Sequence, residues 1–181
     1  MKSIVLIGPS GVGKTAIGNF ISKKLDKKFI DTDELIEKTT NRSISNIFKN
    51  YGEKYFRNLE SKIIDDIYNE NNIVISTGGG TVLKTKNLER LKINGIIFLL
   101  YGQIETIVEN INHSSTKRPL IDNAGDIYER VRDMLIQRGE IYKKSADYIV
   151  SVDNKKICEI GDEIIYLYKK HLSCSNRQGL L

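Results

Sequence analysis

Short apolar runs rich in β-branched residues alternate along the chain with longer segments of helical spacing. The runs lie at residues 4–7, 28–31, 73–76, 96–100 and 147–150. Strands that alternate with helices indicate parallel βαβ units, in which helices cover both faces of one sheet. The almost continuous apolar run at residues 96–100 is typical of a strand that is buried on both faces. The pattern therefore predicts an α/β fold, with functional residues at the carboxyl ends of the strands.

Length and composition narrow the class of protein. A chain of 181 residues corresponds to one domain with a substantial core. No apolar run approaches the roughly 20 residues that span a bilayer, and Met1 and Lys2 lead directly into the first predicted strand, which leaves no room for a signal peptide. The distant Cys158 and Cys174 are typical of a reducing cytosol. We therefore expect a cytoplasmic protein without a membrane partner, whose polar end at residues 172–181 frays.

The net charge of +5 raises the question of nucleic-acid binding. Much of the positive charge comes from lysine pairs such as Lys23-Lys24 and Lys155-Lys156, which are typical of solvated helix faces. The pairs lack the interleaved aromatic residues of RNA-binding surfaces. A basic balance also suits a protein whose ligands are anions. We therefore expect no nucleic-acid partner.

Residues 8–15 read GPSGVGKT and match G-x-x-x-x-G-K-[ST] at every fixed position. The match follows an apolar run of strand length and precedes a segment that can continue as a helix, which is the context this phosphate-binding loop, or P-loop, requires. Its glycines bring backbone N–H groups close to an anion, and the helix terminus adds a partial positive charge. Lys14 can reach the β- and γ-phosphates, and the Thr15 hydroxyl can ligate Mg²⁺. The motif predicts a nucleoside triphosphate site but does not identify the acceptor.

The second predicted strand ends in Asp31-Thr32-Asp33. One carboxylate can hold Mg²⁺ through water, and the other can accept the proton of a substrate hydroxyl. The alternative is helix capping, with Thr32 or Asp33 as the N-cap of the segment that follows. Beside a P-loop we favour the catalytic interpretation, because phosphoryl transfer requires both a metal ion and an oriented nucleophile.

Glu53 and Glu60 lie four and three residues from Arg57, so a helix would place all three on one face. Two acids around one arginine can fix its guanidinium for bidentate capture of a carboxylate. The alternative is an ordinary surface array of ion pairs, and spacing alone favours it. Three consecutive glycines, residues 78–80, follow the third strand and permit a small ligand to lie against the main chain, unless they form a plain flexible turn.

Two later segments offer further anion-binding residues. The polar stretch at residues 114–121 can form a lid that carries Arg118 over the phosphates, with Lys117 sharing or replacing that role. A surface loop with a chance arginine is the alternative. In the last helical stretch before residue 147, Arg130, Arg132 and Arg138 are all candidates, and their spacing does not choose between them.

The ordered set of motifs resembles the shikimate kinase family over residues 4 to about 150. The matching segments are residues 8–15, 31–33, 52–60, 78–80 and 118–120, with Arg138 and Tyr142. The resemblance implies a P-loop NTPase-type α/β/α fold of the nucleoside-monophosphate-kinase kind, with a five-stranded parallel sheet. It implies one domain at residues 1–171, with a substrate-binding insertion at about 32–61 and a lid at about 112–124. We expect a monomer.

The implied activity is the ATP-dependent phosphorylation of the 3-hydroxyl of shikimate, which gives shikimate 3-phosphate and ADP for aromatic amino acid synthesis. The resemblance places ATP on Gly11, Val12, Gly13, Lys14, Thr15 and Ala16, with Arg118 bridging the phosphates on lid closure. It places Mg²⁺ on Thr15 and, through water, on Asp31. It assigns catalysis to Lys14, Asp33 and Arg118, with Asp33 as the base.

The acceptor site is implied in the same way. The resemblance has Asp33 bind the shikimate hydroxyls, while Arg57 and Arg138 clamp the carboxylate. Gly78, Gly79 and Gly80 would line the ring. Phe48 and Phe56 would wall the pocket, although both also suit a hydrophobic core.

Two features depart from ordinary patterns. Ile111 occupies the place where the family often has an arginine stacked on adenine, so the packing of adenine must differ. The fourth strand ends in Tyr101-Gly102, without the acid of a Walker B motif, which is consistent with a metal role for Asp31.

Two other classes of protein compete with this interpretation. A gluconate or nucleoside-monophosphate kinase would share the fold, although a phosphate-bearing acceptor would require more arginines at the acceptor pocket. A P-loop switch or nucleic-acid-binding protein would require a partner surface or a basic stripe, and the dispersed lysines argue against both.

Overall fold

Five parallel strands form the centre of the protein. The computed structural model describes residues 1–113 and 126–178. The strands are β1 (Ser3–Ile7), β2 (Phe29–Asp31), β3 (Val74–Ser76), β4 (Gly95–Tyr101) and β5 (Tyr148–Ser151). They pair in the order β2-β3-β1-β4-β5, and every pair is parallel. The predicted five-stranded parallel sheet is confirmed.

Within the described ranges, seven helices and one 3₁₀ turn connect and follow the strands. They are α1 (Lys14–Leu25), α2 (Thr32–Thr40), α3 (Ile44–Ile67), the 3₁₀ turn (Thr81–Leu83), α4 (Thr85–Asn94), α5 (Ile104–Asn112), α6 (Ile127–Ser145) and α7 (Ile157–Gln178). None of these helices in the described ranges is long and apolar enough to cross a membrane.

The two faces of the sheet are buried in separate hydrophobic clusters. Along β1, Ile4 and Leu6 belong to the cluster that contains side chains of α1 and α7. Val5 and Ile7 belong to the cluster on the other face, with side chains of α2 and α3. Because successive side chains of a strand point to opposite faces, a strand buried on both faces must be apolar throughout. This is the physical reason for the continuous apolar runs in the sequence.

Helix α7 continues further than the sequence predicted. The segment expected to fray from residue 172 is helical as far as Gln178. Ile164, Tyr168 and Leu172 lie on one stripe of this helix and pack against the α1 side of the core. Leu172 is the packed side chain of this stripe that lies beyond residue 171. Residues 179–181 lie outside the described ranges, as do all but two residues of the expected lid at 112–124.

Candidate active site

The carboxyl ends of β1, β2 and β3 meet at one edge of the sheet and open into a cleft of about 1110 Å³. The loop after β1 contributes the P-loop, β2 contributes Asp31 and Asp33, and β3 leads into the glycine turn, Gly78–Gly80. Arg57 from α3 and Arg138 from α6 reach the same cleft. The structure therefore brings together every site residue predicted within the described ranges.

The P-loop has the backbone that its glycines permit. The φ angles of Gly8, Gly11 and Gly13 are 139°, 88° and 93°, all in the range that favours glycine. Helix α1 begins at Lys14 without a side-chain cap and without an acid in its first turn. Lys14, Thr15 and Ala16 line the cleft, so the N-terminus of the helix lies at it. The buried Lys14 Nζ donates to the carbonyl oxygens of Gly8 and Pro9 at 2.9 and 2.8 Å. This arrangement is suited to phosphate binding.

Asp31 has two structural roles at once. Its Oδ1 accepts hydrogen bonds from the backbone N–H groups of Asp33 and Glu34 at 3.0 and 3.4 Å, so Asp31 is the N-cap of α2. Its Oδ2 accepts a hydrogen bond of 2.7 Å from the Thr15 hydroxyl. The capping alternative, which placed the cap at Thr32 or Asp33, is therefore wrong by one or two residues, because the chain is still extended at Asp31 and turns helical at Thr32.

Thr15 and Asp31 are also the groups that could hold a metal ion. No cluster of three or more metal-ligating side chains occurs in the parts of the chain that the structure describes. A cation between Thr15 and Asp31 would thus take most of its ligands from phosphates and water. Mg²⁺ binds in this way, with few protein carboxylates and several waters, so the pair fits this ion.

Asp33 is in a different environment from Asp31. Its Oδ1 is buried, and within residues 1–113 and 126–178 it has no hydrogen-bond partner. Burial and the nearby carboxylates of Asp31 and Glu60 raise the pKa of Asp33 to about 7, against the opposing charges of Lys14 and Arg57. A base whose pKa lies near neutrality is suited to accept a proton from a hydroxyl at that pH.

Arg57 is held by a largely buried network rather than by a surface array. Its Nη1 donates to Glu60 Oε2 at 2.8 Å, and its Nη2 donates to Glu53 Oε1 at 3.0 Å. The Arg57 side chain is 11% exposed and the Glu60 side chain 0%. Glu60 Oε1 accepts a further hydrogen bond of 2.7 Å from the Thr81 hydroxyl. The surface alternative, which spacing alone favoured, is therefore wrong, because a side chain 21 residues away covers Glu60.

The helix that carries Arg57 is interrupted. At Gly52 the backbone of α3 has φ 78° and ψ 172°, which is not helical and belongs to a region that only glycine adopts readily. The segment before the interruption includes Phe48, and the segment after it includes Phe56 and Arg57. The rings of Phe48 and Phe56 lie 4.8 Å apart, line the cleft and also contact the core. Both interpretations of these phenylalanines therefore apply.

The glycine turn makes room for the side chains of the site itself. A Cβ on Gly78 would lie 2.6 Å from Asp33 Oδ1 and 2.7 Å from Glu60 Oε1. A Cβ on Gly80 would overlap the Arg57 guanidinium. These approaches are closer than real Cβ contacts, so any other residue here would displace the site. The prediction that a ligand also lies against this turn stays a prediction, although all three glycines line the cleft.

The structure chooses among the three arginines of α6. Arg138 lines the cleft. Arg132 is paired with Glu129 on its own helix, and Arg130 does not line the cleft. Tyr142, one turn after Arg138, donates its hydroxyl to the carbonyl oxygen of Gly79. Sequence reasoning missed this contact, for which the one available signal was the apolar spacing that turns Tyr142 inward.

Near the nucleotide end of the cleft, Ile111 occupies the position where the family often has an arginine. Ile111 is 6% exposed and belongs to a small cluster with Ile107 and Val131. A Cβ on Gly11 would lie 2.5 Å from Ile111 Cγ1, so Ile111 supports the P-loop from outside the cleft. His113, two residues later, lines the cleft. The predicted Arg118 and Lys117 lie outside the described ranges.

The chain is similar over most of its length to known proteins of one family. The sequence model of the family described as shikimate kinase matches residues 10–169. The shikimate kinase of Caldanaerobacter subterraneus subsp. tengcongensis is 43% identical over 171 residues, which are 94% of this chain and 98% of that protein. The chain belongs to the shikimate kinase family.

Other members and more distant proteins place the family among related folds. A Clostridium botulinum (strain Eklund 17B / Type B) shikimate kinase is 42% identical over 163 residues, covering 90% of this chain and 94% of that protein. The structure of shikimate kinase from Acinetobacter baumannii in complex with shikimate has a TM-score of 0.89 and 29% identity, over 94% of each chain. A gluconokinase from Sinorhizobium meliloti has a TM-score of 0.61 at 14% identity, which shows the shared fold alone.

Proposed function

We propose that the protein transfers the γ-phosphoryl group of ATP to the 3-hydroxyl of shikimate, giving shikimate 3-phosphate and ADP. The observation that carries the proposal is the position of Asp33. Its buried Oδ1, which has no hydrogen-bond partner within the described ranges, lies in one cleft with the P-loop and Arg57. The relatives named shikimate kinase, and the related structure with shikimate bound, support this choice of acceptor.

The P-loop half of the cleft binds the nucleotide. Residues Gly11 to Ala16 surround the phosphates with backbone N–H groups, and Lys14 places its ammonium at the phosphoryl group. The Thr15 hydroxyl and, through water, the Asp31 carboxylate would hold Mg²⁺. The ion would neutralise charge on the β- and γ-phosphates. Arg118 would add a further positive charge when the lid closes.

The other half binds and activates the acceptor. Arg57 and Arg138 bind the acceptor carboxylate, since a guanidinium matches a carboxylate with two parallel hydrogen bonds. Asp33 accepts a hydrogen bond from the attacking hydroxyl and takes its proton as the new P–O bond forms. The transferring phosphoryl group leaves the β-phosphate of ATP, so ADP is the second product. Glu60 holds the Arg57 guanidinium and raises the pKa of Asp33.

A coupled assay of ADP release across four conditions tests this function. Shikimate, gluconate, CMP and no acceptor are compared at equal concentrations of ATP and Mg²⁺. We expect ADP release to depend on shikimate and to fall at least a hundredfold in Asp33→Asn, which keeps the size of the side chain, in line with the loss of a general base. Faster release with gluconate or CMP would contradict the proposal.

We also propose that the protein works as a cytoplasmic monomer without nucleic-acid or membrane partners. The dispersed lysine pairs and the isolated, exposed Cys158 and Cys174 support this view. Light scattering after gel filtration should give a mass near 20.6 kDa. A concentration-independent mass of twice that value would contradict it.

A further inference from the structure

The Tyr142 hydroxyl is buried where α6 meets the glycine turn. The residue is 2% exposed, and its hydroxyl donates to the carbonyl oxygen of Gly79. Burial raises the pKa of the phenol, while the charge and the hydrogen bond of Arg138 lower it. The hydroxyl donates to a carbonyl on the turn. Arg138 lies four residues earlier on α6 and therefore on the same face of the helix, which places its guanidinium beside the phenol.

Arg57 and Arg138, the cationic side chains at the acceptor end of the cleft, both lie beside the glycine turn, one directly and the other through Tyr142. Arg57 lies directly against Gly80, where a Cβ would overlap its guanidinium. Arg138 reaches the turn through Tyr142, because the Tyr142 hydroxyl is bonded to Gly79. A phenolic oxygen can donate its one proton and accept another at the same time, so the two bonds do not compete.

A long, flexible side chain needs such a partner. Arginine loses up to about 2 kcal/mol of rotamer freedom when it is fixed, and a ligand that must fix it binds more weakly. Arg57 avoids this cost through Glu53 and Glu60. Within residues 1–113 and 126–178 no acid forms an ion pair with Arg138, which is half-buried in the wall of the cleft. Tyr142 is placed to supply the orientation that acids supply to Arg57.

We propose that Tyr142 is a positioning residue, which sets the Arg138 guanidinium relative to the glycine turn and so fixes the distance between the two cations that bind the acceptor carboxylate. This inference rests on the proposed function, since it concerns the binding of shikimate. It predicts that the hydroxyl contributes to acceptor affinity and not to the chemical step. Tyr142 is not among the residues that line the cleft, so it is a positioning residue and not a catalytic one.

The first experiment removes only the hydroxyl. In Tyr142→Phe we expect the dissociation constant for shikimate to rise about tenfold, the effect of one hydrogen bond to a charged group, with kcat and ATP affinity within a factor of two. Tyr128→Phe is the matched control, since it lies on the same helix and its exposed hydroxyl bonds to Glu105 at 2.9 Å. Its shikimate affinity should stay within twofold. Unchanged affinity in Tyr142→Phe overturns the inference.

A double-mutant cycle separates positioning from general support of the structure. In an Arg138→Met background, which keeps an unbranched stem, adding Tyr142→Phe should change shikimate affinity by less than about twofold, because the hydroxyl then has no guanidinium to orient. If Tyr142 acted only by holding the Gly79 carbonyl, Tyr142→Phe would lower shikimate affinity by the same factor with Arg138 as with Met at position 138. That outcome overturns the inference.

A measurement without substrate keeps the test independent of both folding and the proposed function. In NMR spectra of the ligand-free, unaltered protein, the side-chain nitrogen resonances of arginine report how fast each guanidinium rotates. The Arg138 resonance is identified as the one that is missing from the spectrum of Arg138→Met. We expect slower rotation for Arg138 than for the exposed Arg42. Equal rates overturn the inference, whatever binds. If the unaltered protein does not bind shikimate, that result counts against the proposed function, and the rotation rates alone decide the inference.

Discussion

Thr15 and Asp31 are joined by a hydrogen bond of 2.7 Å between the threonine hydroxyl and Oδ2 of the carboxylate. The other oxygen of Asp31 caps the helix on which Asp33 lies. A single carboxylate thus connects the first turn of α1, at the proposed nucleotide site, to the first turn of α2, at the proposed acceptor site.

The two aspartates should differ in their response to Mg²⁺. Asp31→Asn should raise the Mg²⁺ concentration needed for half-maximal activity but keep the fold, because asparagine caps helices as well as aspartate does. Asp33→Asn should suppress turnover even at saturating Mg²⁺, because the proton acceptor is lost. Mg²⁺ titrations of the activity of both variants test this. Equal rescue of the two by excess Mg²⁺ would show that their roles are not divided in this way.

Activity should rise with pH through the pKa of Asp33. The base works only when it is ionised, and burial with neighbouring carboxylates raises the pKa of Asp33 to about 7. A plot of kcat/KM for shikimate against pH should therefore reach half of its upper plateau near pH 7, since this ratio reports the free enzyme. A profile already flat from pH 5 would mean that Asp33 is ionised throughout and would contradict the assignment.

The same shift in pKa should cost stability at high pH. A raised pKa favours the protonated form in the folded state, so its contribution is complete below the unfolded pKa near 3.8 and is lost as pH rises through about 7. Asp33→Asn should remove this loss. At pH 8 we expect its free energy of unfolding to exceed that of the unaltered protein by a few kcal/mol at most, so its melting temperature should be higher. The difference should be smaller at pH 5. Melting curves of the two proteins at both pH values decide it.

Arg57→Lys should weaken shikimate binding much more than ATP binding. An ammonium cannot reproduce the two parallel hydrogen bonds of a guanidinium, and the loss should be about 2–3 kcal/mol. Separate calorimetric titrations of the two ligands measure the effect. Unchanged shikimate affinity would remove Arg57 from the acceptor site.

Gly80→Ala should also weaken acceptor binding, by steric overlap rather than by loss of a charge. Its Cβ would overlap the Arg57 guanidinium, which must then move. We expect a rise of at least tenfold in KM for shikimate, in line with losing a charged hydrogen bond. Gly139→Ala is the control, since a Cβ on this helical glycine meets nothing within 4 Å and should stabilise α6 slightly. Equal kinetics in both variants would show that Gly80 has no special role.

Arg118→Ala tests the lid. If Arg118 meets the phosphates only on closure, its loss lowers kcat much more than it raises KM for shikimate. Such an arginine is worth on the order of 10³-fold in other P-loop enzymes, and we expect less here because Lys117 can share the role. Steady-state kinetics of Arg118→Ala and Lys117→Ala compare the two. A normal kcat in the first, with a large loss in the second, would transfer the role to Lys117.

Local patterns predicted most of the fold and the nucleotide half of the site. The strands follow from runs of apolar residues, and the P-loop from residues that are neighbours in sequence. The remaining features depend on contacts between distant residues. Tyr142 and Gly79 are 63 positions apart, and Glu60 and Thr81 are 21 apart. Spacing within one helix could therefore show neither which arginine of α6 enters the cleft nor that Glu60 is buried.

The error at the N-cap of α2 has a different cause. Thr32, Asp33 and Asp31 are all residue types that cap helices, so composition does not distinguish them. The cap is decided by the last residue of β2 that pairs with β3, and Asp31 pairs with Ser76. Boundaries of this kind depend on sheet register, which a single sequence specifies poorly.

The break in α3 at Gly52 has a consequence for redesign of the acceptor pocket. Because the backbone there is not helical, the segment before it, with Phe48, and the segment after it, with Arg57, do not share one continuous axis. A change of size at Phe48 can then be absorbed by a small reorientation of the first segment. The second segment keeps its buried contacts through Glu60. Libraries that vary residues 44–51 should therefore alter the shape of the accepted molecule while its requirement for a carboxylate is retained.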